Sequence, residues 1–345
     1  VAGSAIGGAI GGPFGAIIGR AIGGLAGAAI DTALLSSGGG TRYVEGPRLT
    51  DVQGLTSTEG AGVPRVYGRA RVGGQLIWAT RLEEVAHTSE ASTGSGKLGS
   101  GGSTVTTNYS YFANLAVGLC EGPIAFVRRV WADGRELDQS TFVMRVHHGH
   151  DDQDADPLIV AKEGADNAPR YRGLAYVVFE RMPLEDFGNR IPQFSFEVLR
   201  PVSGLAEMVR AVDLIPGASE FIYEPAAVSQ VLGPGVTRSE NRHQLFRPSD
   251  VIASLDVLQA LCPNLERIAL VVSWFGDDLR AGHCTIAPRV ERHLKSTEDL
   301  QWRAAGLDRV SAGQVSQLDG RPAYGGTPSD DAVINLIRTI KARGF

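Results

Sequence analysis

The sequence predicts a mixed fold: a glycine-zipper helix, then a mainly-β domain, then the beginning of an α/β domain. Three observations predict it. Glycine recurs at every fourth position from Gly3 to Gly27. Between residues 42 and 200, apolar runs with a period of two alternate with turn signals at roughly 8–12-residue spacing. A continuous apolar run at residues 268–274 then precedes a long loop and a capped helix, which is the order of a β/α unit. The boundaries that follow are 1–37 for the helix, 42–200 for the β domain, 201–264 for a helical and irregular connector, and 265–345 for a first, incomplete β/α unit.

In the first stretch Gly3, Gly7, Gly11, Gly15, Gly19, Gly23 and Gly27 form an unbroken GxxxG ladder. Bulky residues (Ile6, Ile10, Phe14, Ile18 and Ile22) stand immediately before five of its rungs. As a helix, this spacing sets a smooth strip beside an isoleucine ridge, and backbones without Cβ atoms can approach closely along it. Each interior glycine also costs about 0.8–1 kcal/mol relative to alanine, so a partner or a bilayer has to supply the stabilisation. Pro13 marks a kink or a second start. No basic n-region or cleavage site of a signal peptide is present. Three readings are open: a self-associating helix, a segment that spans or penetrates a membrane, and an unstructured Gly/Ala tail. Arg20 argues against a permanent lipid-facing span, because a charge at the bilayer centre costs about 2.5–3.5 kcal/mol.

Composition narrows the function classes. A chain of 345 residues with 43% hydrophobic content has room for two or three domains with real cores. A net charge of −5 offers no basic footprint for nucleic acid. Cys120, Cys262 and Cys284 are an odd count without metal-ligand spacing, and read as reduced cysteines of a protein made in a cytosol.

Within 42–200, residues 75–87 and 105–120 alternate like two strands of a long hairpin, and the Gly/Ser-rich stretch 88–104 between them reads as a solvated tip. Residues 123–132 predict a third strand. Asp133-Gly134 is a type I′ hairpin signal, because both central positions require positive φ. Short strands at 142–146, 171–179 and 194–199 and a short helix at 158–164 complete the domain, as a barrel or a sandwich. The intervening run from His147 to Pro157, rich in His and Asp, invites a metal reading but also matches ordinary turn chemistry.

Further on, Leu205, Met208, Val209 and Val212 predict a helix over 205–214, and residues 218–247 are irregular. Ser249 caps a helix that Pro263 ends. The run 268–274 (IALVVSW) has the pattern of a strand buried on both faces, with Asp277 and Asp278 just past its C-terminal end. In the last element Thr327 is the predicted N-cap, with Pro328 at N1, Asp330 at N3 and Gly344 as the stop. Val333, Ile334, Leu336, Ile337 and Ile340 form its predicted buried stripe. A lone β/α unit leaves one side of its strand open, so the reading expects a longer protein.

Several of these segments resemble one family. Residues 169–180 (PRYRGLAYVVFE), Leu184, 187–192 (FGNRIP), 194–198 (FSFEV) and 156–159 (DPLI) are similar to tail-tip hub proteins of long-tailed bacteriophages. Residues 271–280 (VVSWFGDDLR) and 319–329 (DGRPAYGGTPS) resemble the start of the TIM-barrel-like, glycoside-hydrolase-like domain of the "megatron" baseplate protein of gene transfer agents. The resemblance implies the N-terminal part of a large trimeric protein at a virion tail tip, made in the bacterial host cytoplasm. Its β region would close the tail tube as a ring, with the glycine ladder of three copies on the axis. The implied partners are further copies of the chain, distal tail and hub proteins, the host envelope and cell-surface carbohydrate, with DNA only as passing cargo.

No cofactor is expected, and no metal, since the His/Asp run lacks a helical i, i+4 His pair. The resemblance also raises the alternative of a cell-wall or capsule glycoside hydrolase. That chemistry needs two carboxylates about 5–9.5 Å apart, at the C-terminal ends of barrel strands. Asp277 and Asp278 lie at such an end, but neighbours after one strand more often cap a turn or bind sugar hydroxyls. The expectation is therefore that Asp277, Asp278 and Tyr324 contact carbohydrate and that this chain is not catalytic.

Overall fold

The computed structural model describes residues 42–45, 57, 60, 62–92, 103–202, 204–215, 217 and 219–345; for 42–45, 91–92 and 103–104 it describes the backbone only. The glycine ladder, Gly3 to Gly27, lies outside the described residues. The chain divides into two compact units, one of residues 1–49 and 85–110, the other of residues 50–84 and 111–345.

The first unit is a β arm. Strand β1 (Arg42–Glu45) runs parallel to the start of β5 (Ser103–Glu121), with Arg42 opposite Thr104 and Glu45 opposite Thr107. Strand β4 (Glu83–Ser92) also pairs with β5. The Thr88 and Thr107 hydroxyls lie 3.3 Å apart, and the Ser89 hydroxyl donates to the Thr106 carbonyl.

The second unit begins as a two-layer β structure. In one layer, β5 pairs antiparallel with β3 (Gln75–Ala79) and with β9 (Leu174–Pro183), and β9 with β8 (Val143–His147). The other layer has the order β2 (Gly68–Gly73), β10 (Phe194–Arg200), β6 (Phe126–Ala132), β7 (Arg135–Glu136). The expected hairpin of residues 75–87 with 105–120 is present. The layers meet through aromatic rings: Phe179 of β9 stacks on Phe194 of β10 at 4.7 Å. The reverse face of β9 is covered by α1 (Pro157–Glu163), where Ile159 packs with Ala116, Tyr176 and Val178. With both faces buried, residues 174–179 of β9 read as an unbroken apolar run, which ends at Glu180 and the exposed Arg181. At the β6–β7 turn Asp133 and Gly134 have φ of 48° and 82°, as a type I′ turn requires.

Past residue 200 the structure departs from the sequence reading. The helix expected over 205–214 is one turn, α2 (Leu205–Met208), with Leu205 and Met208 exposed. Residues 211–214 form strand β11 (Ala211–Leu214), parallel to β14 (Arg267–Leu270) in register Ala211–Arg267 to Leu214–Leu270. Pairing with a strand over fifty residues away overrides the local helical spacing. Helix α3 (Asp250–Leu261) lies between them in sequence, so β11–α3–β14 forms a βαβ unit across the expected boundary at 264/265. The stretch expected to be irregular holds a hairpin, β12 (Ser229–Gly233) with β13 (Val236–Ser239).

The run 268–274 is not buried on both faces. Strand β14 ends at Leu270, where its partner β11 runs out, and Val271, Val272 and Trp274 are exposed. The last helix, α4 (Asp330–Ala342), is capped at Ser329 and not at Thr327. Thr327 is buried and engaged elsewhere: its hydroxyl accepts from the Arg289 N–H and its carbonyl from the Trp302 indole. The buried stripe of α4 is Ala332, Leu336 and Ile340, which pack with Tyr223, Val251 and Leu255, whereas Ile334 and Ile337 are exposed. The Tyr223 hydroxyl lies 2.7 Å from the Leu214 carbonyl and 2.8 Å from that of Val271, and so ties the ends of β11 and β14 together.

Candidate functional site

Asp277 and Asp278 follow a two-residue ladder in which Phe275 and Gly276 pair with Ala287 and Ile286. Asp277 accepts the Thr285 N–H at 2.7 Å and so closes the base of this loop. Asp278 accepts the Arg280 N–H at 2.8 Å and grips the Arg280 guanidinium through both oxygens, at 3.0 and 2.6 Å. That guanidinium holds the half-buried Asp278 carboxyl below the usual carboxylate range. Tyr324 is exposed, just past the turn of residues 317–322. Among the described residues, no hydrogen bond joins Tyr324 to either aspartate. Both carboxylates organise local turns, and each keeps lone pairs that a sugar hydroxyl could use.

The His/Asp-rich run is built around one buried carboxylate. Asp156 caps α1 by accepting the Leu158 N–H at 2.8 Å. It also takes the Arg145 guanidinium through both oxygens, at 2.7 and 2.9 Å, and the His147 ring at 2.9 Å. Burial opposes its ionisation, but these donors outweigh that and hold its pKa at about 2. His147 stacks on Tyr176 at 4.3 Å. Farther along, the Gln153 amide donates to the Arg170 and Tyr171 carbonyls, and Gly149 packs where a Cβ would fall 2.7 Å from the Ala175 nitrogen. Among the described residues, no group of three or more His, Cys, Asp or Glu is placed to share a metal ion.

A constellation the sequence reading missed lies deeper. Glu220, without exposed surface, receives Arg309 through two bonds of 3.1 and 2.7 Å and the Glu291 N–H at 2.6 Å. Lys295 reaches Glu240 at 2.8 Å, Glu291 at 2.6 Å and Glu220 at 3.4 Å. The members come from four separated segments, and only the Glu291–Lys295 spacing of four gives a local sign of them.

No family model and no curated protein matches the chain. Among solved structures it is similar to a chain of "Virion of native gene transfer agent (GTA) particle", at 43% identity over 54% of this chain and 38% of that one. This chain thus spans well under two thirds of that chain's length. The TM-score is 0.34, at which the superposition carries no argument about a shared arrangement; the likeness is one of sequence.

Proposed function

We propose that this protein is a structural component of a gene transfer agent or phage virion, and within it a hub protein of the tail tip. The observation that carries the reading is what the hub-like segments do here. Asp156 and Pro157 start α1 against β9, Arg190 pairs with Asp133 at the β6–β7 turn, and 174–179 and 194–198 are the strands whose rings join the two layers. They build a rigid frame and not a reaction centre. The 43% identity to a gene transfer agent chain supports the same reading.

In this role three copies form a ring that closes the tail tube, and the glycine ladder associates on its axis until DNA passes. Particles carrying Gly11→Leu, Gly15→Leu and Gly19→Leu assemble and adsorb but fail to deliver DNA, as counted by marker transfer per adsorbed particle. Unchanged transfer overturns the axial role. Carbohydrate contact through Asp277, Asp278 and Tyr324 is read out by binding of cell-wall or capsule saccharide to the chain. A zymogram that shows clearing by the wild type and none by the Asp277→Asn, Asp278→Asn double variant supports the hydrolase alternative instead.

A further inference from the structure

Five charged side chains meet at a cleft of about 590 Å³ whose lining includes Ser219, Arg238, Glu240, His243, Glu291 and Lys295. Three of the five are carboxylates, Glu220, Glu240 and Glu291, and two are cations, Lys295 and Arg309. With every group ionised the cluster holds one negative charge in excess. We propose that Glu291 is the proton-binding member of a latch, whose protonation tightens the packing of residues 289–297 on residues 219–240 and whose ionisation loosens it.

The hydrogen bonds decide which carboxylate carries the excess. Glu220 is matched by the Arg309 fork, by Lys295 and by a backbone N–H. Glu240 receives Lys295 and the Ser219 hydroxyl. Among the described residues, Glu291 has Lys295 on Oε2 alone, and its buried Oε1 has no hydrogen-bond partner. A buried anionic oxygen without a donor is costly.

Among the described residues, no neighbouring cation makes up the deficit. At the cleft wall Arg238 donates to Gln230, and the His243 ring is hydrogen-bonded to the Asp250 carboxylate at 2.6 Å. The Arg289 guanidinium turns to the Gln314 carbonyl. Lys295 is already shared among three carboxylates. Burial would lower its pKa, but those carboxylates raise it, so it stays charged. Burial likewise pushes the Glu291 carboxyl above its ordinary 4.5, with Lys295 pulling the other way.

The direction of the pH effect follows. The folded chain holds the Glu291 proton more tightly than the unfolded chain does. The associated stability is fully present below the unfolded value of 4.5 and is lost as pH rises through the folded value. Thermal unfolding of the full chain across a pH series reads this directly. The wild-type Tm falls as pH rises above 4.5, by about 1–2 °C, because the Tm shift produced by a given free energy shrinks with chain length. Glu291→Gln keeps the shape, cannot ionise and loses that slope. An equal slope in Glu291→Gln, or none in the wild type, overturns the proposal. If Glu291→Gln does not fold, hydrogen exchange of the wild type decides, corrected for intrinsic rates. Selective loss of protection in 289–297 and 236–241 with rising pH supports the latch, and uniform change across the chain overturns it.

Discussion

In the β layers the side chains with no exposed surface are mostly apolar, among them Leu115, Val117, Phe179, Phe194 and Phe196. The buried carboxylate of that region, Asp156, stands at its margin as the cap of α1. Beyond β11 the corresponding position at the centre is held by Glu220, also without exposed surface, beside the cluster of Phe221, Val290 and Trp302. The strands differ in the same sense. In the layers, β5 and β9 pair over eight positions, whereas past Leu270 each paired strand is two residues long. Backbone ladders and ring packing hold the first region. Turn hydrogen bonds and a charged hub hold much of the second. An apolar core degrades gradually as methylenes are removed, whereas a buried ion network fails at once when one member is lost, because the others remain buried and unpaired.

Two substitutions break the comparison most sharply. Glu220→Ala leaves Arg309 and Lys295 without their shared partner and costs about 3–5 kcal/mol, with protection lost first in 219–241 and 289–314. Phe179→Ala costs a similar amount, about 3–5 kcal/mol, but its loss falls on β5, β9 and β10. Hydrogen exchange of both variants checks this, and identical maps would mean that the two regions share one cooperative unit.

Acid gives the next effect. Asp156 titrates at about 2 when folded against an ordinary 3.8. Its contribution is present above 3.8, lost as pH falls toward 2, and worth on the order of 2–3 kcal/mol. Asp156→Asn flattens the acid limb of a denaturation curve, with the change confined to the β8–α1 region. The smallest expected effect is that of Tyr223→Phe. It removes the hydroxyl between the Leu214 and Val271 carbonyls, costs about 1–1.5 kcal/mol in a urea titration and frays the ends of β11 and β14.

Legibility in the sequence follows the same division. Alternation along 75–87 and 105–120 is a local property, so the hairpin could be read from it, and Asp133-Gly134 announced its turn. The path of 205–214 could not, because Leu205, Met208, Val209 and Val212 also satisfy a helical spacing. The deciding partner, β14, comes more than fifty residues later. The ion hub was hidden for a similar reason: Glu220 and Arg309 stand 89 positions apart. Thr327 looked like a cap because of the proline after it, yet its buried hydroxyl serves Arg289. Asp277 and Asp278 were expected at the end of the strand over 268–274, but that strand stops at Leu270. The two aspartates follow the separate 275–276 ladder, where they close turns that depend on contacts with Thr285 and Arg280.

The parallel pairing of β1 with β5 has a mechanical consequence. Because both strands run the same way, the chain enters β1 at the end of the arm where β5 begins. Residue 37 is five peptide links from Arg42, a tether of at most about 18 Å. A pull on the first residues, directed back along the arm, loads the pairs from Arg42–Thr104 to Glu45–Thr107 in shear. They then resist together and do not open one at a time as in peeling. Tension arriving at Arg42 thus meets a clasp of four pairs that are loaded together.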